Sequence, residues 1–146
     1  MQGPVSFLPR KAITVLSFPK RKLLLRFLAC PNMQVLRWSS GVITSPNYPS
    51  NYGNSHRCRW KITGNSGDRV RLVIHGASLE ACCDYIQIQN GYLQTSGSNP
   101  GLMYGSFSGT KTFISYRENL IVYFYSDCSV TSNGFRATYT IQRNGK

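Results

Sequence analysis

The amino-acid sequence predicts an all-β domain, a sandwich of two sheets. Three observations carry this prediction: short apolar segments alternate with a period of two, turn-forming residues separate them at intervals of roughly 8–12 residues, and no long segment has helical periodicity. Strands of this kind bury one face each, so two sheets must cover one another to form a core.

The first strong strand signal lies at residues 57–62, after a short β-branched segment at residues 41–44. Within it, Cys58, Trp60 and Ile62 alternate with basic residues. Alternation turns the apolar side chains toward the core and the basic side chains toward water. The segment therefore predicts a strand with one buried and one exposed face.

Further segments repeat this pattern along the chain. Val70, Leu72 and Ile74 share one face, and Asn90-Gly91 is a later turn signal. Residues 92–101 are polar and contain several turn-forming residues, which predicts a loop. The remaining predicted strands are 84–89, 112–114, 119–126 and 134–141.

Length and composition exclude several classes of protein. A chain of 146 residues allows one domain of ordinary size, and 41% apolar with 15% charged residues permits a packed core. The longest apolar runs, 23–25 and 120–125, fall far short of the about 18 residues that span a bilayer. We therefore expect a single domain without a membrane span.

The charge is strongly positive and unevenly distributed. Seventeen Lys and Arg face five Asp and Glu, and residues 1–29 supply half of the net charge of +12. That segment contains a basic cluster, and its apolar stretch is interrupted by Arg26, unlike an ordinary secretory signal. We expect residues 1–29 to be a basic leader that is disordered or cleaved, residues 30–141 to be the domain, and residues 142–146 to be a tail.

The five cysteines favour disulfides and an oxidising compartment. No CxxC pair and no HxxxH spacing is present, which argues against a zinc site. Two bonds among five cysteines can be drawn in many ways, so the residues alone leave the pairing open.

Several motifs together resemble a CUB domain. The segment 41–52 with Cys58-x-Trp60 is similar to the family's opening. Later pieces follow in the family's order: Val70 to Ile74 ending at Leu79-Glu80, Cys83-Asp84-Tyr85 with its Asn90-Gly91 turn, and closing strands at 120–127 and 134–139. The resemblance covers residues 30–141. It implies a two-sheet antiparallel jelly-roll-like β-sandwich that is secreted, extracellular and non-catalytic, with no catalytic residues.

The resemblance also implies disulfides. Its first pair corresponds to Cys30–Cys58 here, whereas Tyr104-Gly105 stands where the family has a Cys-Gly. Cys128 lies instead directly after an aspartate that the resemblance assigns to a shared site. We therefore expect Cys83–Cys128, or Cys82–Cys128, with a bond between the adjacent Cys82 and Cys83 as the rival.

Many CUB domains share a calcium site, and the matching carboxylates here are Glu80, Asp84 and Asp127. Ca²⁺ prefers six to eight oxygen ligands, so carbonyls near Ser129 and Val130 and water would complete the shell. Three of the five acids in the chain fall on these positions. Close carboxylates raise one another's pKa unless a cation lies between them.

Two further residues or segments bear on this site. Tyr52 matches a tyrosine that hydrogen-bonds the glutamate and orients it. The loop from Glu80 to Asp84 is shorter than in most relatives, which alters the geometry of the site. The family mechanism implies that a Lys or Arg of an extracellular protein contacts Glu80, Asp84 and Ser129.

A second hypothesis concerns an outward basic stripe. Spermadhesins, single-domain CUB proteins, bind glycans, and several cations on one face could bind a sulfated glycan. The candidate residues are Arg57, Arg59 and Lys61, joined by Arg69 and Arg71 on a possible neighbouring strand. Nucleic-acid binding is not expected, because no basic-aromatic platform or recognition helix is visible.

Overall fold

The computed structural model describes residues 30, 32–97 and 101–144. These residues form ten strands and no helix, so none of them belongs to a helix that could cross a membrane. The strands are β1 (Gln34–Leu36), β2 (Ser40–Thr44), β3 (Arg57–Thr63), β4 (Arg69–Ser78), β5 (Tyr85–Gln89), β6 (Gly91–Leu93), β7 (Leu102–Tyr104), β8 (Lys111–Ser115), β9 (Asn119–Tyr125) and β10 (Gly134–Gln142).

The strands form two five-stranded sheets, and the predicted β-sandwich is confirmed. One sheet has the order β1-β3-β9-β5-β7 and is called the β3 sheet below. The other has the order β2-β10-β4-β8-β6 and is called the β4 sheet. The paired strands are antiparallel except β1 and β3, which run parallel.

The core lies between the two sheets and follows the predicted alternation. In β3 the side chains of Cys58 and Ile62 are fully buried, and that of Trp60 is nearly so. Trp60 meets Phe135 of the opposite sheet edge-on, with ring centroids 6.2 Å apart. Phe124 tilts against the same Phe135 ring at 5.7 Å, so aromatic side chains join the sheets across the core.

The predicted bond between Cys30 and Cys58 is present and fastens the start of the domain to β3. The two cysteines are separated by 28 positions in the sequence. Closing a loop of this length restricts the unfolded chain and contributes about 3–4 kcal/mol in the chain-entropy model.

Three short strands were not predicted. β1, β6 and β7 have three residues each, too few for alternation to be recognised. β6 begins at the Asn90-Gly91 turn signal, so the segment 92–101 is not entirely a loop. Pairing with β3, β8 and β5, respectively, determines these strands, and such pairing depends on tertiary structure.

The C-terminal end is more tightly held than a tail. β10 continues to Gln142, and the Arg143 guanidinium lies 3.1 Å from the Asp68 carboxylate. The Asn144 N–H also donates to Asp68. Contacts of the domain therefore extend past residue 141, while the prediction for residues 1–29 lies outside the described residues.

Candidate metal centre at one end of the sandwich

Topology brings two of the predicted carboxylates to the same end of the β3 sheet. Asp84 directly precedes β5, and Asp127 comes two residues after β9. β5 and β9 are antiparallel neighbours in which Tyr85 pairs with Tyr125. The start of one strand therefore lies beside the end of the other, and the Asp127 N–H donates to Asp84 Oδ1 at 2.9 Å.

The third carboxylate comes from the other sheet. β4 ends at Ser78, and Glu80 follows after one buried leucine. Ligand oxygens of Glu80, Asp84 and Asp127 all lie within 4.8 Å of one another. The cluster thus joins the ends of both sheets, and we call these three residues the acidic cluster.

Tyr52 connects the two sides of the acidic cluster. Its hydroxyl donates to Asp84 Oδ2 at 2.6 Å and accepts the Glu80 main-chain N–H at 3.2 Å. Its ring is buried and meets Phe124 edge-on at 5.1 Å. Burial, with the hydrogen bond to Asp84, raises the pKa of Tyr52, so the hydroxyl keeps its proton and remains a donor.

The expected hydrogen bond between Tyr52 and the glutamate is made by the Glu80 main-chain N–H and not by the Glu80 side chain. The carboxylate to which the Tyr52 hydroxyl donates belongs to Asp84. Glu80 is held through its main chain, which leaves its side chain available to other groups. The loop between β2 and β3 carries Tyr52 and fixes both neighbours from inside the core.

Asp84 is fully buried, with 0% of its surface exposed. Oδ1 accepts from Asp127 N–H and Oδ2 from Tyr52, so each oxygen has a protein donor. A carboxylate in this position holds the site together. The expectation that Asp84 itself contacts a partner is therefore corrected, because the incoming side chain cannot reach it in this arrangement.

Glu80 is the unsatisfied member of the acidic cluster. Its Oε1 is shielded from solvent and accepts no hydrogen bond from the described residues. Desolvation, followed by the negative charges of Asp127 and Asp84, raises the pKa of Glu80. A buried acceptor without a partner is costly, and a cation beside it would remove that cost.

Ser129 and Val130 lie on the exposed loop that follows Asp127. The Ser129 N–H donates to Asp127 Oδ1 at 3.1 Å, so a local hydrogen bond shapes the turn. Val130 has a φ of 51°, a left-handed conformation that is unusual for a β-branched residue. Both residues remain candidates for contributing carbonyl oxygens.

The cysteine pairing beside the site differs from the prediction. Cys82 and Cys83 are bonded to each other, and Cys128 is a free, exposed thiol, so both Cys83–Cys128 and Cys82–Cys128 are wrong. The hydrogen bond between Asp127 and Asp84 holds these two aspartates together, but the cysteines beside them in the sequence are not bonded to each other. Cys128 is exposed, whereas Cys83 is half-buried.

The predicted basic stripe is divided between the sheets. Arg57, Arg59 and Lys61 lie on β3, whereas Arg69 and Arg71 lie on β4. These strands follow one another in sequence but belong to opposite layers of the sandwich. Since outward side chains of opposite sheets point in opposite directions, the five residues do not form one glycan-binding surface.

A group of tyrosines on the β3 sheet was missed. Tyr123 and Tyr125 occupy the outward positions of β9, with Tyr85 and Tyr104 on the strands beyond it. Alternation with the buried Phe124 could have indicated that β9 presents an outward aromatic row. Their clustering could not be read, because it depends on the strand order of the folded sheet.

Comparisons with known proteins agree with this fold. A family model described as the CUB domain matches residues 30–139. Cubilin of Canis lupus familiaris is 34% identical over 126 residues, covering 82% of this chain and 3% of cubilin. Embryonic protein UVS.2 of Xenopus laevis is 37% identical over 109 residues, covering 72% of this chain and 21% of that protein. The chain thus spans a small part of the length of these curated relatives.

A solved structure is also similar. The CUB2 domain of MASP-1 bound to Ca²⁺ superposes with a TM-score of 0.61 at 25% sequence identity. The match covers 73% of this chain and 96% of that one, so nearly the whole of the MASP-1 CUB2 domain has a counterpart in this chain.

Proposed function

This chain belongs to the CUB domain family, and from that premise we propose that it is a secreted, extracellular protein-binding module whose acidic cluster binds Ca²⁺. CUB domains are in general non-catalytic binding modules. The Ca²⁺-bound CUB2 domain of MASP-1 is a precedent for the ion within this fold. The proposal assigns Glu80, Asp84 and Asp127 as carboxylate ligands, with carbonyl oxygens of Ser129 and Val130.

The observation that carries this proposal is the convergence of three carboxylates within 4.8 Å, one of them with a shielded oxygen that lacks a donor. Ca²⁺ is a hard cation that prefers such oxygen ligands. The one ion pair within the described ranges joins Asp68 to Arg143, so no described Lys or Arg forms an ion pair with the acidic cluster. The donor set therefore fits calcium, and binding would offset the mutual repulsion of the three side chains.

The bound ion supplies a fixed positive charge that orders the loops after β4 and β9. Glu80 and Ser129 then form the accessible part of the site, since Glu80 is half-buried and Ser129 is exposed. A Lys or Arg of a partner protein would donate to these oxygens, while Asp84 and Tyr52 hold the arrangement from inside. Charge-assisted hydrogen bonds of this kind are stronger than neutral ones.

Thermal unfolding with and without Ca²⁺ tests the ion. At a concentration tenfold above the dissociation constant, binding to the native state adds about 1.4 kcal/mol, a rise of several degrees in Tm. Glu80→Gln and Asp127→Asn should each reduce that rise, while Glu118→Gln is a control outside the cluster. An unchanged Tm of the native chain in Ca²⁺ would overturn the proposal.

Partner recognition needs a separate test. Short peptides with one central lysine are compared with the same peptides carrying acetyl-lysine, each in Ca²⁺ and in chelator. We expect binding of the unmodified peptides in Ca²⁺ only, because acetylation removes the charge. Equal binding of both peptide forms would contradict recognition of a cationic side chain.

A further inference from the structure

The outer surface of the β3 sheet carries a second cluster of outward side chains, which we call the tyrosine face. Strand register aligns them: Arg57 pairs with Tyr125 and Arg59 with Tyr123, and Tyr125 pairs in turn with Tyr85. Tyr85 then pairs with Tyr104 on the edge strand β7. The tyrosine face consists of Arg57, Arg59, Tyr85, Tyr104, Tyr123 and Tyr125.

The tyrosine rings stand on the sheet and pack side by side. Tyr85 and Tyr125 are stacked, with centroids 5.0 Å apart and planes only 18° from parallel. This separation is close to the spacing of neighbouring strands, about 4.8 Å, so the ring faces look along the sheet. Tyr104 and Tyr123 meet Tyr85 edge-on at 5.6 Å and 6.2 Å. Outward side chains stand roughly perpendicular to a sheet, so the hydroxyl ends of these rings point away from it.

The two arginines extend the stack at its β3 side. The guanidinium of Arg57 lies 5.1 Å from the ring centroid of Tyr125, and that of Arg59 lies 5.2 Å from that of Tyr123. Cation–π contact fixes the orientation of each guanidinium. Both arginines are exposed, so their N–H groups remain able to bind a carboxylate in a bidentate manner.

This surface has cations but no acidic side chain. None of the acids in the part of the chain that the structure describes occupies an outward position of β3, β5, β7 or β9. Asp84 precedes β5 but points into the core. The whole chain carries a net charge of +12, so two copies facing each other through this surface would bring arginines together. Charge complementarity therefore favours an acidic partner.

Ring orientation distinguishes a protein from the other anionic partners. Sugars and nucleobases stack on free aromatic faces, whereas Tyr85 and Tyr125 cover each other's faces. Rigid tyrosines that present edges and hydroxyls beside arginines are typical of the central part of protein interfaces. Tyr104 is 46% exposed and Leu102, beside it on β7, is 38% exposed, which adds apolar area at the edge.

We infer that the tyrosine face is a docking surface for an acidic protein segment, with Asp or Glu side chains on Arg57 and Arg59 and an apolar side chain beside Tyr104. This surface is separate from the acidic cluster in residues, in accessibility and in the sign of the charge that it attracts. It requires no calcium.

Selection of peptides from a random phage-displayed library on the immobilised native chain tests this inference. An enriched peptide is then synthesised, and its Kd for the chain is measured. We expect enrichment of Asp or Glu together with apolar residues. Combined Arg57→Ala and Arg59→Ala should weaken binding by about tenfold or more, and Tyr104→Ala should weaken it as well. Combined Arg69→Ala and Arg71→Ala, the matched control, removes equal charge from the opposite sheet and should leave the Kd unchanged.

Measurements in chelator separate this surface from the calcium site. We expect the Kd of the peptide to be the same in Ca²⁺, in chelator and in Glu80→Gln, so failure of either proposal is visible independently of the other. An equal loss of peptide affinity in the two double-arginine variants would show that net charge alone is responsible, and would overturn the inference. Three other results would also overturn it: peptides enriched without Asp or Glu, heparin fragments that bind through Arg57 and Arg59 when peptides do not, or self-association that Tyr104→Ala abolishes.

Discussion

The acidic cluster and the tyrosine face are opposite in construction. The cluster is assembled from the ends of β4, β5 and β9 and holds a fully buried aspartate. The tyrosine face is assembled from outward side chains of the strands β3, β5, β7 and β9 themselves, and its residues are half-buried or exposed. Loss of one side chain from the acidic cluster leaves buried hydrogen-bond partners unsatisfied. Loss of one side chain from the tyrosine face uncovers only groups that water can reach and solvate. The two regions should therefore differ in how strongly substitutions affect folding.

The largest effect is expected for Asp84→Ala. This change leaves the Tyr52 hydroxyl and the Asp127 N–H without their acceptor, which costs about 1–3 kcal/mol for a buried group. The free energy of unfolding from urea denaturation measures the loss, with Tyr104→Ala as the comparison from the tyrosine face. A larger loss in Tyr104→Ala would reverse the proposed difference between the regions.

Tyr52→Phe should have the next largest effect. The ring still packs against Phe124, but Asp84 Oδ2 loses its donor, so we expect a loss of about 1–2 kcal/mol. The same urea titration measures it, and Tyr116→Phe is the control because that tyrosine is exposed. An unchanged stability would mean that the hydroxyl does not hold Asp84.

The sequence predicted the two regions unequally. The acidic residues were found through the family motifs, and the core strands through alternation at residues such as Trp60 and Ile62. The hydrogen bond from Tyr52 to Asp84 depends on side-chain geometry that no spacing encodes. Arg71 was assigned to the wrong layer because adjacent strands in sequence entered different sheets, and the tyrosine face required that same strand order.

Asp68 offers a pH-dependent comparison away from both regions. The Asn65 N–H, with the Asn144 N–H and the Arg143 charge, lowers the pKa of Asp68, although burial opposes this. A carboxyl with a lowered pKa stabilises the fold above its unfolded pKa, near 3.8, and that stabilisation is lost as pH falls through the folded pKa. Asp68→Asn should therefore lower Tm at pH 7 by a few degrees, with a smaller difference below about pH 4. A difference in Tm that does not change with pH would contradict this assignment.

The smallest effect on stability is expected for Arg59→Ala. This change removes one exposed cation–π contact, worth about 0.5–1 kcal/mol, and the control Arg69→Ala removes none of those on the tyrosine face. Thermal unfolding of the two variants measures the difference. A loss as large as that of Asp84→Ala would make the tyrosine face a structural element of the fold.

Isothermal titration of the native chain with Ca²⁺ tests the central claim most directly. The proposal predicts one site with a dissociation constant on the order of 10⁻⁴–10⁻³ M, as in other extracellular modules. The heat should disappear or weaken severalfold in Asp127→Asn and persist in Glu118→Gln. Titrations of the native chain and Asp127→Asn that are indistinguishable would show that the three converging carboxylates do not bind the ion.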